Sequence, residues 1–253
     1  MNHPRTATAA VLLTTALLLT AACGTKSPAP AAPAPPTQSA AAGHAGRSAP
    51  QPQPQLLTEI PSLGAKTRNR IPATARQVVV VTGESAHSNR SSVTLYVRDA
   101  TGGWSADAGP WQAHNALRGW TEDHHAGDLH SPTGVYTLTD AGGRKSNPGT
   151  RLPYDRGPAF VAPGTGFHGE SLAGSFDYVV AINYNRKPGT TPLDWTRPMG
   201  ASRGGGVWFH VEHGGPTHGC VSLAEPRMKE LLRWLDPSKQ PVVVMGDAAA
   251  LSS

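Results

Sequence analysis

The sequence lacks any block of Lys or Arg, although its 253 residues carry a formal net charge of +5. This absence disfavours nucleic-acid binding, whereas a mild positive charge suits an anionic cell wall. No internal repeat occurs, which argues against a solenoid. Apolar residues make up only 38%, and 28 Gly with 24 Pro exclude long helical bundles and coiled coils. All six Trp and the clear apolar runs lie beyond residue 77. We therefore expect a disordered region before a globular domain that has a hydrophobic core.

The first 22 residues have the pattern of an export signal. Arg5 precedes Ala7–Leu19, an apolar stretch that is too short for a stable membrane span. The stretch ends in Thr20-Ala21-Ala22-Cys23, which resembles a bacterial lipobox, where the cysteine is diacylated and becomes the new N-terminus. An ordinary signal peptide with an incidental Cys23 is the alternative, because Thr20 replaces the usual Leu. Both interpretations predict export, and the lipobox predicts a lipid anchor on the outer face of the cell membrane.

The composition changes along the chain and predicts three regions. We expect a lipoprotein signal peptide over 1–22, a disordered Pro/Ala-rich tether over 23–58 and one domain over 59–253, with a core at about 77–246. Between Gly24 and Gln55 there are eight Pro, nine Ala and no aromatic residue. Such a segment cannot bury enough apolar surface to offset its chain entropy. It is expected to hold the domain away from the bilayer.

Short apolar runs, separated by clusters of Gly, Pro, Asn and Asp, predict a mainly β domain. The candidate strands are Gln77–Thr82, Ser92–Val97, Val135–Leu138, Tyr178–Asn183, Val207–Val211 and Pro241–Met245. Two intervening segments, Asp140–Asp177 and Asn185–Gly206, are far longer than usual loops, which suggests a binding surface.

One late helix is predicted. Its apolar positions have helical spacing and are Met228, Leu231, Leu232 and Leu235. The segment Ser222-Leu223-Ala224-Glu225 fits a capping box, and Pro226 would lie in the first turn.

Cys220 is the residue on which the functional interpretation depends. An exported protein normally uses its cysteines in pairs, and Cys23 belongs to the signal region, so Cys220 is left without a disulfide partner. It lies in Thr217-His218-Gly219-Cys220, ten positions after His210 at the end of a predicted strand. A free cysteine near histidines is typical of a thiol nucleophile. The alternative is a buried free Cys with surface histidines.

A thiol reacts as its thiolate, whose formation requires a cation or a helix N-terminus nearby. If Ser222 is the N-cap, Cys220 lies just before the positive end of the helix. Either His210 or His218 is expected to take the proton, which gives a thiolate–imidazolium pair. Gly219 permits a tight turn, so that N–H groups near Cys220 form an oxyanion hole.

The segment His210…Thr217-His218-Gly219-Cys220-Val221 resembles the signature of the L,D-transpeptidase (YkuD-like) family, with its upstream His and later Ser/Thr-His-Gly-Cys. Gly127–Tyr136 is similar to the family's Thr-Pro-x-Gly-x-Phe strand entry. Tyr178–Asn185 and the closing LLRWLDP…PVVV resemble the exported lipoprotein branch common in actinobacteria. The resemblance covers roughly residues 77–246.

The resemblance implies a sandwich-like catalytic domain, expected to be monomeric, that acts on peptidoglycan stem peptides. By position, Cys220 is the nucleophile, His210 is the general base, and His218 shapes the site by orienting its partners or helping to hold the oxyanion. The enzyme would attack the carbonyl between the L-centre of a diamino acid and a terminal D-Ala, release D-Ala and transfer the acyl group to a second stem as a 3→3 cross-link. Water as the acceptor would make it an L,D-carboxypeptidase. No metal or organic cofactor is needed, because the thioester conserves the bond energy.

The sequence departs from the family pattern at two points. Ser222 stands where the family often has an Arg, so that another cation must bind the substrate carboxylate. The candidates are Arg203, Arg186 and Arg144. The interval between His210 and Cys220 is also shorter than is usual in the family. Glu212 shares the strand face of His210 and either orients it or is simply solvated.

Two rival functions stay open at this point. A zinc peptidase would use the remaining histidines, which are His124, His125, His130 and His213. No H-E-x-x-H motif occurs, and His210 and His213, three positions apart, are expected on opposite faces of a strand. A wall-binding lipoprotein with an inactive site is the other rival.

Overall fold

The computed structural model describes residues 56–253, so that the predicted signal peptide, Cys23 and the tether up to Gln55 lie outside the described residues. Within 56–253, no helix has the length and apolarity needed to cross a membrane. Leu57 exchanges two 2.7 Å backbone hydrogen bonds with Trp104. The described contacts thus include residue 57, two positions before the predicted domain boundary at residue 59.

Strands dominate the described part of the chain and confirm the mainly β prediction. In chain order they are β1 Gln77–Gly83, β2 Arg90–Arg98, β3 Trp104–His114, β4 Trp120–Thr121, β5 Ser131–Pro132, β6 Gly134–Gly143, β7 Tyr154–Arg156, β8 Val179–Ile182, β9 Trp208–Val211, β10 Val221–Leu223 and β11 Val242–Asp247. The helices are α1 Ala65–Arg68, α2 Glu225–Trp234 and α3 Ala248–Leu251. All six predicted strands are present, although the first four residues of the predicted loop Asp140–Asp177 belong to β6.

The large sheet closes on itself. Its strand order is β11-β1-β2-β3-β10-β9-β8-β6-β7, and a further pairing joins β11 to β6. Closure leaves β7 as an added edge strand and surrounds one apolar core. β1 and β11 pair in parallel and are buried on both faces, since Val79 and Val243 point into this core whereas Val78 and Val242 join a second apolar cluster. Burial on both faces explains the unbroken valine runs of these strands.

The predicted helix is confirmed as α2, which packs its apolar side chains into the main core. Met228, Leu231 and Leu232 are fully buried, and each such side chain contributes roughly 1.5–3 kcal/mol of stability. The predicted capping box is wrong. The N-cap is Ala224, without a side-chain hydrogen bond, and Ser222 lies in β10.

Two strands that matter to the site were missed by sequence reasoning. β3 contains Gly109 and Pro110, near which its ladder with β2 shifts register, so that no clean alternation is visible in its sequence. β10 has only three residues, too few to stand out from the turn before it. It is inserted between β3 and β9, and this insertion places Cys220 beside β9.

Candidate active site

The parallel pairing of β9 with β10 brings Cys220 and His210 to the same face of neighbouring strands. Phe209 pairs with Val221, and both side chains point into the main core. Because side chains alternate along a strand, His210 and the residue before Val221 face the other way. The Sγ atom of Cys220 accepts the Trp208 N–H at 3.4 Å, which places the thiol beside the start of β9. The structure therefore joins the two residues by sheet register and not by their separation in sequence.

His210 is held by the main chain. Its ring is buried, and Nδ1 lies 2.9 Å from the carbonyl oxygen of Val211. A carbonyl only accepts, so Nδ1 carries the proton and Nε2 is the nitrogen that can take one. Within 56–253 no hydrogen bond joins His210 to Cys220, whose S–H instead donates to the Gly206 carbonyl at 3.6 Å. Such a contact often forms only once substrate is bound.

Burial keeps both groups neutral in the resting site. It lowers the pKa of His210 to about 4 and raises the pKa of Cys220 to about 11, against a smaller opposing effect of the Trp208 N–H. Both shifts favour the neutral pair over the expected thiolate–imidazolium pair. The expected help from a helix N-terminus is also wrong, because β10 separates Cys220 from α2 and the dipole acts only near the first turn.

The turn that carries Cys220 is fixed by two buried hydroxyls. Thr217 Oγ1 donates to the Cys220 carbonyl at 2.7 Å, and Ser131 Oγ donates to the Gly219 carbonyl at 2.9 Å. Ser131 Oγ also accepts the N–H of Ala116 at 3.0 Å. Sequence reasoning missed Ser131, although it had placed the residue in a segment that supports the family resemblance. The carbonyls of the turn thus point into the protein.

The N–H groups of the same turn remain available. Within residues 56–253, the N–H groups of His218 and Cys220 donate to no protein acceptor, whereas that of Gly219 contacts Thr217 Oγ1 at 3.3 Å. Two free N–H groups beside a nucleophile can hold an oxyanion. Gly219 itself does not have the positive φ of a tight glycine turn, and a Cβ there would approach the His130 carbonyl at 3.5 Å, an ordinary contact. The turn therefore depends on the hydroxyl bonds more than on a glycine.

A cavity of about 450 Å³ opens above Cys220. Its walls include His218 and Gly219 on one side, Gly206 and Val207 at the start of β9, and Arg197 from the predicted long loop Asn185–Gly206. That loop therefore lines the cavity, and its role as a binding surface stays a prediction. His218 is exposed, and its ring centre lies 4.6 Å from that of Phe167. The structure thus places His218 in the cavity wall, where its role in shaping the site stays a prediction.

His213 lies where the sequence did not predict it. β9 ends at Val211 and the chain turns, so the His213 ring stacks on His210 with centroids 5.6 Å apart and planes inclined by 8°. The expectation of opposite faces is wrong because the strand stops between the two residues. His213 Nδ1 lies 3.2 Å from Glu170 Oε1, and both side chains are largely buried. Glu170 and His213 thus form a second layer over the candidate base.

Glu212 neither orients His210 nor is simply solvated. Its carboxylate accepts hydrogen bonds from Ser222 Oγ at 2.6 Å, His114 Nδ1 at 2.8 Å and the Gly214 N–H at 2.6 Å. These bonds outweigh desolvation and lower the pKa of Glu212 to about 2, while the pKa of His114 is raised, chiefly by the same bond. Glu212 therefore ties β3, β10 and the turn after β9 together.

The three arginines predicted to bind the substrate carboxylate are placed elsewhere. Arg186 is buried in an ion pair with Asp140 at 2.8 Å. Arg203 pairs with Asp123 at 2.5 Å. Arg144 lies beside Phe160 and Asp177, in a different cavity. Arg197 lines the Cys220 cavity and was missed, because nothing in the sequence distinguishes it from other arginines of the loop.

The candidate zinc ligands form no metal-binding group among the described residues. Within the described residues 56–253 there is no group of three or more His, Cys, Asp or Glu side chains able to hold a metal ion. His124 and His130 both approach Asp128, at 3.0 and 3.9 Å, and His125 lies 3.3 Å from Asp123. The zinc-peptidase interpretation has no ligand set in this part of the chain.

The comparison with known families follows this geometry. The family model of the L,D-transpeptidase catalytic domain (YkuD) matches residues 78–244, which is more than half of the chain and includes both His210 and Cys220. The match confirms the predicted family, while the actinobacterial lipoprotein branch stays a prediction. Comparison with curated proteins finds no match.

Proposed function

Because the chain belongs to the L,D-transpeptidase catalytic-domain family, we propose that it acylates Cys220 with a peptidoglycan tetrapeptide stem and transfers the acyl group to a second stem. The observation that carries this proposal is the shared face of Cys220 and His210 below an open cavity. A free thiol, a neutral imidazole with a directed Nε2 and two free N–H groups supply what acyl transfer through a thioester needs.

In the acylation step, Cys220 Sγ attacks the carbonyl that precedes the terminal D-Ala. The thiol proton leaves its contact with the Gly206 carbonyl and passes to His210 Nε2 as the C–S bond forms. The negative charge on the carbonyl oxygen is held by the N–H groups of His218 and Cys220. Collapse breaks the C–N bond, and His210 returns the proton to the amine of the departing D-Ala. A thioester on Cys220 and a neutral His210 remain.

In the second step, the side-chain amine of an acceptor stem attacks the thioester. His210 takes a proton from the amine, an amide bond forms as the C–S bond breaks, and the sulfur recovers the proton. The product is the 3→3 cross-link. Attack by water instead gives the tripeptide, which is the hydrolytic alternative for the same site.

The neutral resting pair suits this sequence of steps. A buried, permanent thiolate would require a cation to stabilise it, and the described surroundings of Sγ are a Trp208 N–H and a Gly206 carbonyl. Negative charge therefore develops only during the attack, on the oxygen of the substrate carbonyl. Preorganised N–H donors are most effective at stabilising charge that develops in this way.

Incubation of the protein with a disaccharide-tetrapeptide, followed by mass spectrometry, tests the proposal. We expect a mass increase on Cys220 that corresponds to loss of D-Ala, and a dimeric product. The Cys220→Ser variant is the matched control. Tripeptide alone would establish the carboxypeptidase, and the absence of both the adduct and any product would favour the inactive wall-binding lipoprotein.

We also propose that Cys23 anchors the protein on the outer face of the cell membrane, from the apolar run that ends in Thr20-Ala21-Ala22-Cys23. Cys23→Ala is expected to move the protein into the soluble extracellular fraction. If the unaltered protein is already wholly soluble outside the cell, the anchor does not exist.

A further inference from the structure

The cavity above Cys220 has a single strong positive charge in its described wall. Among the described residues that line it, Arg197 is the one Lys or Arg, and none is Asp or Glu. The other walls are largely glycine, alanine and the rings of His124, His218 and Trp195. An anionic group that enters this cavity therefore meets one cation and no fixed carboxylate.

Arg197 is positioned without being neutralised. Its Nη1 donates to the carbonyl oxygens of Asp194 and Thr196, at 3.2 and 3.1 Å. In residues 56–253, no carboxylate lies within ion-pair distance of its guanidinium, and Asp194 acts on it only at longer range. Partial burial lowers the pKa of Arg197, the charge of Arg186 adds to this effect, and Asp194 opposes it. By contrast, Arg186 and Arg203 each have a carboxylate.

The guanidinium is also preorganised by stacking. Its carbon lies 4.8 Å from the ring centre of Trp195, whose side chain is 78% exposed. A stacked guanidinium keeps its planar set of donors oriented, which suits a carboxylate better than a flexible ammonium would.

Arg197 and the thiol contact the same stretch of backbone. The Gly206 carbonyl accepts the Cys220 S–H at 3.6 Å, and a Cβ on Gly206 would lie 3.5 Å from Arg197 Nη2. A Cβ on Gly205 would collide with Arg197 Nε. Glycines at these positions thus let the guanidinium lie against the segment that contacts the nucleophile. In a terminal amino acid, only the nitrogen and Cα separate the attacked carbonyl from the free carboxylate.

We propose that Arg197, braced by Trp195, binds the terminal carboxylate of the amino acid that leaves when Cys220 is acylated. The inference rests on the proposed function, since it names the group that the cavity recognises in the donor. It makes Arg197 the residue that selects a donor with a free C-terminus over one whose C-terminus is amidated or extended.

The test compares two donors, a tetrapeptide stem with a free terminal carboxylate and the same stem with a terminal carboxamide. The rate of adduct formation on Cys220 is followed by intact mass. A charged hydrogen bond of this kind supports a preference for the acid of about 10- to 100-fold. Arg197→Gln is expected to remove the preference by slowing the acid only, and Arg197→Lys to retain part of it. Lys187→Gln, which removes an exposed charge from the same loop, is the matched control and is expected to behave as wild type.

A second measurement separates this inference from the proposed function. Iodoacetate and iodoacetamide alkylate a thiol by the same reaction but differ in charge. We expect Arg197→Gln to lower the ratio of the two rates at Cys220, and Lys187→Gln to leave it unchanged. Melting curves show whether each variant is folded.

The outcomes are distinct. Acylation of Arg197→Gln with the acid preference intact would overturn the inference and leave the proposed function standing. If neither donor acylates the wild type while the alkylation ratio falls in Arg197→Gln, the proposed function is wrong and a carboxylate-binding Arg197 remains. Failure of both donors with an unchanged ratio would overturn both.

Discussion

Two histidines on β3 and β9, the strands that flank β10, show how differently the same side chain is used in one small region. His210 is buried against a backbone carbonyl, and burial lowers its pKa to about 4. His114 lies 2.8 Å from the Glu212 carboxylate, and its pKa is raised. Burial favours the neutral form of the first histidine, which can accept a proton, whereas the second is hydrogen-bonded to a carboxylate that joins strands. Burial without a charged partner thus favours reactivity, and burial with one favours structure.

The largest effect is expected when the nucleophile next to His210, the reactive histidine, is removed. As the family resemblance implies, a carbapenem should acylate Cys220 and give a single adduct in the intact mass. Cys220→Ser should give none. An adduct on another residue, or no adduct at high excess, would count against a competent site.

Removal of the base comes next. His210→Ala should slow acylation by roughly 10²–10⁴-fold, the usual range for general-base assistance. The fold should persist, because the His210 side chain makes its one described hydrogen bond to the adjacent carbonyl. The measurement is the acylation rate with a slow carbapenem, beside a melting curve. His87→Ala, at an exposed histidine, is the control. A folded His210→Ala protein with a rate near wild type would mean that another group is the base.

Glu212→Gln tests the structural role of His114, because it removes the charge of the carboxylate that His114 contacts. Loss of the charged hydrogen bonds to His114 and Ser222 should lower the free energy of unfolding by about 1.5–3 kcal/mol. Glu212 has a depressed pKa, so its contribution is present above the unfolded value of about 4.3 and is lost as pH falls towards about 2. The wild type should therefore lose its advantage over Glu212→Gln between about pH 5 and pH 2. Melting temperatures over that range would decide it, and a difference that does not vary with pH would contradict the pKa shift.

The pH dependence of acylation tests whether His210 is the base. His210 must be neutral to accept the thiol proton, and its pKa is lowered to about 4. In wild type the acylation rate should hold constant from about pH 8 to pH 5 and fall roughly tenfold per unit below pH 4. The profile is measured with a carbapenem over short reaction times. A midpoint near the usual histidine value of about 6.5 would show that the base is not buried as described.

The smallest expected effect concerns His213, which stacks on His210 and contacts Glu170. An aromatic pair contributes about 0.5–1.5 kcal/mol, so His213→Ala should slow acylation by about 2- to 10-fold. His213→Phe keeps the stack and should restore most of the rate. If His213→Ala is crippled while His210→Ala is near wild type, with both folded, the assignment of the base is reversed.

Much of the fold was predictable because apolar periodicity reports burial directly. The six predicted strands and the helix at Met228–Leu235 follow from side chains that now lie in the core. β3 was not predictable, since Gly109 and Pro110 interrupt it where the ladder shifts register. Ser222 misled for a different reason. Its spacing to Glu225 is that of a capping box. In the structure, however, Ser222 pairs with His210 of β9 and its hydroxyl donates to Glu212, so that it does not cap the helix.

The sequence by itself determined a mainly β domain of the L,D-transpeptidase family and a free cysteine beside histidines. These conclusions depend on residue types and short spacings, which a sequence displays. Only the tertiary structure decided that Val211 orients His210, that burial favours the neutral forms of His210 and Cys220, and that Arg197 faces the cavity. Each of these depends on burial and on neighbours that sheet register and loop packing bring together. Proximity of that kind sets pKa values and charge pairing but leaves no local pattern in the chain.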